Sequence, residues 1–201
     1  MKLNKYAYVL GLALAASAGG FSTSALADSA VVTTGNAAAR LDFQITIPRT
    51  LSFRVGSAAA GTIDMISFAP TAAQVGTGTA LAGTGGDLTA GAVTARVVGN
   101  NGQITITPTT VGALIGTGTN TIAWTQITTT ATTLTSATAL AAPVLVNGAG
   151  TAVNAPAPVN NVTTADARWT FAYSNTTVPA AGVYGGTVAK NGRVTYTAAM
   201  P

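Results

Sequence analysis

The stretch from Asp166 to Ser174, DARWTFAYS, decides the fold class. Trp169, Phe171 and Tyr173 fall on one face of a period-two alternation, with Arg168, Thr170 and Ala172 on the other, which is the spacing of a half-buried strand and not of a helix. Aromatic residues make up only 6% of the chain, so the three rings are needed inside and read as core. The alternative reading is an exposed aromatic strip that binds carbohydrate.

The same alternation recurs on either side of this stretch. Leu41, Phe43, Ile45 and Ile47 point one way and Asp42, Gln44 and Thr46 the other, until Pro48 ends the strand because it cannot donate to a ladder. Leu51, Phe53 and Val55 resume the apolar face, with Ser52 and Arg54 opposite. Residues 56–61 read as a loop and residues 63–68 as a short strand stopped by Pro70. Residues 93–98 and 103–107 flank Gly99-Asn100-Asn101-Gly102, a hairpin signal, because an Asn-Gly pair accepts the positive φ values of a tight turn. Residues 121–129 predict a strand carrying Trp124, and residues 144–146 a short strand among the loops of 130–158. Residues 183–190 and 193–199 flank Asn191-Gly192 as a second hairpin. Residues 75–91, VGTGTALAGTGGDLTAG, read as a Gly-rich loop with too little apolar bulk for a core. The GTGGD piece within it is similar to the Gly-Asp turns of calcium-binding repeats, but it occurs as a single copy.

Short strands with turn signals at intervals of roughly 8 to 12 residues predict an all-β protein, an antiparallel immunoglobulin-like β-sandwich, with a partly open β-barrel as the alternative. The core expected from the apolar phase is Phe43, Phe53, Trp124, Trp169 and Phe171.

The first residues have a different character. Lys2 and Lys5 precede the apolar run Tyr6 to Ala16, and Ala25-Leu26-Ala27 supplies the small-x-small pattern that signal peptidase requires. Residues 1–27 therefore read as a signal peptide cleaved after Ala27, with residues 28–39 an extended arm and residues 40–201 one domain. A bilayer span needs about 20 predominantly apolar residues, and Ser17, Gly19, Gly20 and Ser22 to Ser24 break this run, so no membrane span is expected after cleavage. The location expected is outside the cytoplasm: periplasm, cell surface or medium.

Charge argues against nucleic acid. The sequence pI of 9.8 suggests such a partner. Two of the nine Lys and Arg leave with the leader, however, and the remainder are scattered, with no basic stripe interleaved with aromatics. Charged residues are 7% of the chain, so little repulsion opposes packing against further copies, and self-association is the expected partnership. Cysteine, histidine and glutamate are all absent, which removes disulfides, the usual zinc ligands, and the Ser-His, Cys-His and paired-Glu arrangements. Only five Asp remain as side-chain carboxylates, isolated in sequence. The chain is therefore expected to have no catalytic residues, no metal and no cofactor, with a small Asp-dependent hydrolase as the least favoured alternative.

Residues 31–48, VVTTGNAAARLDFQITIP, resemble the opening of chaperone-usher pilins and spore-coat-U-like secreted subunits, in which an arm with a central glycine leads into the first core strand. Residues 180–201, AAGVYGGTVAKNGRVTYTAAMP, are similar to the closing segment of those families. The chain lacks their common disulfide, and Tyr196 stands further from the end than their tyrosine does. The resemblance implies a non-catalytic structural subunit of a bacterial surface fibre, pilus or coat with a role in cell adhesion. It also implies a periplasmic chaperone and an outer-membrane assembly protein as partners. Under it the assembly arm presents Val31, Thr33, Gly35, Ala37 and Ala39, in phase with Leu41 to Ile47, for insertion into another subunit's open sheet edge. The function from a different class that stays open is a secreted glycan-binding module.

Overall fold

The computed structural model describes residues 30–201, so the leader and its cleavage after Ala27 lie outside the described residues. The chain divides into two units, and the boundary falls after Ile47, not at residue 40. In the first unit, residues 30–47 form no strand or helix and are exposed at every position, with a bend at residues 33–35 where Gly35 takes a φ of +92°. The strand expected over Leu41–Ile47 is therefore absent. Phe43, placed in the core by its phase, is 86% exposed, and Leu41, Ile45 and Ile47 are exposed with it. Alternation specifies which face of a segment seeks burial but not which chain supplies it.

The second unit, Pro48–Pro201, is all-β. Its longest strands are β1 (Leu51–Val55), β5 (Ala92–Gly99), β6 (Thr105–Thr109), β9 (Ile127–Thr132), β11 (Thr163–Tyr173) and β12 (Thr195–Ala199). Two-residue strands fill in between: β2 (Ile66–Ser67), β3 (Leu81–Ala82), β4 (Thr84–Gly85), β7 (Leu114–Ile115), β8 (Thr121–Ile122) and β10 (Val153–Asn154). The larger sheet runs β1-β5-β11-β3, with β9 also pairing β11, and the smaller runs β10-β6-β12. All pairings are antiparallel, and the sheets do not close into a barrel. The layers enclose Val97, Ile104, Ile106, Leu140, Leu145 and Trp169, and the core is this β-sandwich's own. The Trp169 indole N–H donates to the Leu140 carbonyl at 2.8 Å, which satisfies the one polar atom of a fully buried ring.

The topology corrects both hairpins. Apart from Arg96 and the partly covered Val98, β5 is buried along its length, and it occupies the centre of the larger sheet, paired to β1 on one side and β11 on the other. No edge of β5 is left for β6, so Gly99 to Gly102 carries the chain from one sheet to the other. Residues 183–190 form no strand, and β12 pairs with β6 across the smaller sheet. Asn191 still takes the left-handed conformation, at φ 54°, but as the cap of a short 3-10 turn, Val188–Lys190. The strand expected over 121–129 is broken by another 3-10 turn at Trp124–Gln126, and residues 144–146 form no strand. The Gly-rich segment 75–91 is ordered: β3 pairs with the end of β11, and Asp87 accepts the Thr94 amide at 2.8 Å.

Where the body begins, the backbone is gripped by side chains. Asn100 donates to the Pro48 carbonyl at 2.8 Å and accepts the Thr50 amide at 2.7 Å, holding the chain on both sides of Arg49. Arg49 and Asn101 both donate to the Pro201 carbonyl.

Candidate functional site

An apolar groove of about 1150 Å³ lies within the body. Protein interiors are close-packed, with few voids larger than a water molecule. An apolar groove of this size, open to solvent, leaves apolar wall surface that no part of the body packs against. One wall is built by the larger sheet, through Phe53 and Val55 of β1, Val93 of β5, and Phe171 and Tyr173 of β11. The lining also includes Trp124, Leu145 and Tyr196, and irregular segments around Phe68 and Tyr184. Asp64 and Arg193 are the charged residues in this lining.

The strand order explains why the groove is there. β1 bonds to β5 alone and β12 to β6 alone, so each has an unpaired edge, and the two strands come near each other across the layers. Residues of both line the groove. A closed core would need one more strand beside them to cover the apolar faces and engage the free N–H and C=O groups.

Three phenols lie in the wall. Tyr196 packs its ring 5.3 Å from that of Trp169, and burial pushes its pKa up. Tyr173 packs 6.2 Å from Phe68, and its hydroxyl is buried with no hydrogen-bond partner among the described residues. Burial chiefly, and the neighbouring Tyr184 secondarily, raise its pKa. The Tyr184 hydroxyl is engaged, donating to the Ala180 carbonyl at 2.7 Å.

The carboxylates do not gather. Asp64 accepts the Ser57 amide across a turn that needs Gly56, whose φ is +87° and where an added Cβ would stand 2.1 Å from the carboxylate oxygen. Asp166 accepts the amides of Thr135 and Ser136, each at 2.9 Å, and the Thr135 hydroxyl, which together hold its carboxyl down at about 2. Asp42 is exposed on the segment before the body. Among the described residues no three Asp, Glu, His or Cys cluster as metal ligands would.

The residues expected from sequence separate into two sets. Phe53, Trp124 and Phe171 line the groove, the first half-buried and the others buried, and Trp169 lies fully buried beneath it. The burial of Trp169, Phe171 and Tyr173 removes the exposed aromatic strip. Val31, Thr33, Gly35, Ala37 and Ala39 are all exposed, and none lines the groove. Sequence reasoning missed Phe68, Tyr184 and Tyr196 as wall residues, since they sit on irregular segments or on a strand whose partner was misassigned. No family model, curated protein or solved structure matches this chain.

Proposed function

We propose that this protein is a non-catalytic structural subunit of a bacterial surface fibre, pilus or coat, which assembles when a segment of one copy enters the groove of the next. The observation that carries this reading is a pair of complementary defects in one chain. The body has an apolar groove between two open strand edges, and Leu41–Ile47 is an alternating segment whose large apolar side chains are exposed. Large apolar side chains left in water at four alternate positions are a liability unless another surface receives them. Strand addition would bury Leu41, Phe43, Ile45 and Ile47 and complete the edge hydrogen bonds in one step.

The apolar residues of this reading lie at 41–47, later in the chain than the arm at 31–39. In that arm Val31 precedes the bend at residues 33–35, and only the small Ala37 and Ala39 follow it. A groove that stays open until assembly also suits a periplasmic chaperone and an outer-membrane assembly protein as transient partners.

The test is assembly of purified full-length chain by sedimentation and electron microscopy, beside Ile45→Asp and a deletion of residues 30–36. The expected outcome is polymers from the parent and the deletion, and none from Ile45→Asp. A parent that stays monomeric at every concentration, with or without an assembly partner, or an Ile45→Asp chain that polymerises normally, refutes the reading.

A further inference from the structure

We infer that Tyr173 is a position-setting contact of the groove, whose hydroxyl donates to a main-chain carbonyl of the Leu41–Ile47 segment inserted from a second copy. The inference rests on the strand-insertion reading and adds to it a specific polar contact. Its basis is the single buried side-chain N or O atom that has no partner among the described residues, the Tyr173 hydroxyl. Buried polar groups are nearly always paired, and an orphan calls for an explanation. Here the residue belongs to the wall of a groove that is itself incomplete.

Among the described residues no acceptor lies within hydrogen-bond distance of this hydroxyl. Tyr184, close enough to raise the Tyr173 pKa, donates its proton to Ala180, and although its oxygen could still accept, it makes no hydrogen bond with Tyr173. Phe68, against the Tyr173 ring, has only carbon in its side chain. Phe68 and Tyr184 both stand on segments outside any strand, so no ladder hydrogen bonds resist a small displacement that would expose the phenol to an incoming chain. The occupant's chemistry then fixes the acceptor. The side chains of Leu41, Phe43, Ile45 and Ile47, which form the apolar face, carry no polar atom. The acceptor on an inserted strand is therefore its backbone. A strand shifted by one residue would turn Asp42, Gln44 and Thr46 inward and move its carbonyls off the phenol, so the contact penalises the wrong register.

The experiment uses the full chain carrying Phe43→Ser and Ile45→Ser, so that its own segment does not compete, and a fluorescent synthetic peptide of residues 38–48. Binding is read by anisotropy in three hosts: Tyr173 intact, Tyr173→Phe, and Tyr184→Phe as the control for a phenol already satisfied. Loss of one net hydrogen bond predicts that Tyr173→Phe weakens the peptide by roughly 2- to 12-fold. The unbound Tyr173→Phe host should keep or raise its melting temperature, because the substitution removes an unsatisfied group. A merely structural tyrosine would give the opposite sign in the unbound host. Equal or tighter peptide binding by Tyr173→Phe, with the intact host binding normally, overturns the inference alone. No peptide binding by the intact host overturns the strand-insertion reading and this contact with it.

Discussion

Phe43→Ala separates the isolated subunit from the assembled one. In the isolated chain the ring is 86% exposed, so its removal should change unfolding free energy by no more than about 0.5 kcal/mol, as for other exposed positions. Seated in a groove lined by Phe53, Trp124 and Phe171, the same ring becomes a core residue, and truncating a buried Phe costs about 3 to 5 kcal/mol. At about 1.4 kcal/mol per factor of ten, that is a loss of roughly two to nearly four orders of magnitude in the association constant. Urea unfolding of dilute monomer followed by tryptophan fluorescence gives the first quantity, and sedimentation velocity over a concentration series gives the second. The reasoning fails if the variant loses 2 kcal/mol or more as a monomer, because the ring would then be part of its own core. It fails equally if assembly is unchanged.

Other substitutions probe the body itself. Trp169→Ala should cost about 3 to 5 kcal/mol in urea unfolding, since a fully buried ring and its bond to Leu140 are both lost. The hydrogen bonds from Thr135 and Ser136 hold the Asp166 carboxyl at about 2, below its ordinary value of 3.8. Its contribution is therefore fully present above pH 4 to 5 and is lost as pH falls toward 2, and an Asp166→Asn chain should show a flatter stability profile in melts across that window. Gly56→Ala should destabilise by about 1 to 3 kcal/mol in chemical unfolding, because its φ of +87° and the nearby Asp64 carboxylate both oppose a side chain.

The fold class was legible because it depends on local alternation. DARWTFAY, residues 166–173, lies within β11, and Leu51 to Val55 forms β1, as their phases predict. Pairing was less legible. The Asn-Gly signals at residues 101–102 and 191–192 do mark sharp turns, but which strand receives the chain afterwards depends on how many neighbours the preceding strand already has. The burial of β5 shows a strand covered on both sides and flanked by two partners, information that a two-residue turn does not contain. Leu41–Ile47 shows the same limit from the other direction: its phase was clear, yet the segment is exposed, because phase marks the face that seeks burial and not the surface that supplies it. The groove was not legible at all, since an absence between two sheets has no residues of its own.

The grip of Asn100 on Pro48 and Thr50 has a mechanical meaning. In a fibre assembled as proposed, tension on a neighbour's groove arrives in this subunit at Pro48. Asn100 follows directly on β5, so its two bonds pass part of that pull to the central strand before the edge strand β1 is loaded. A pull along β1 then shears its ladder to β5 from Leu51↔Gly99 to Val55↔Ala95 together, whereas a pull across it would open the pairs one after another. The anchor lies at the end of the strand where unzipping would begin, so in such a fibre Asn100 would oppose the peeling of β1 from β5.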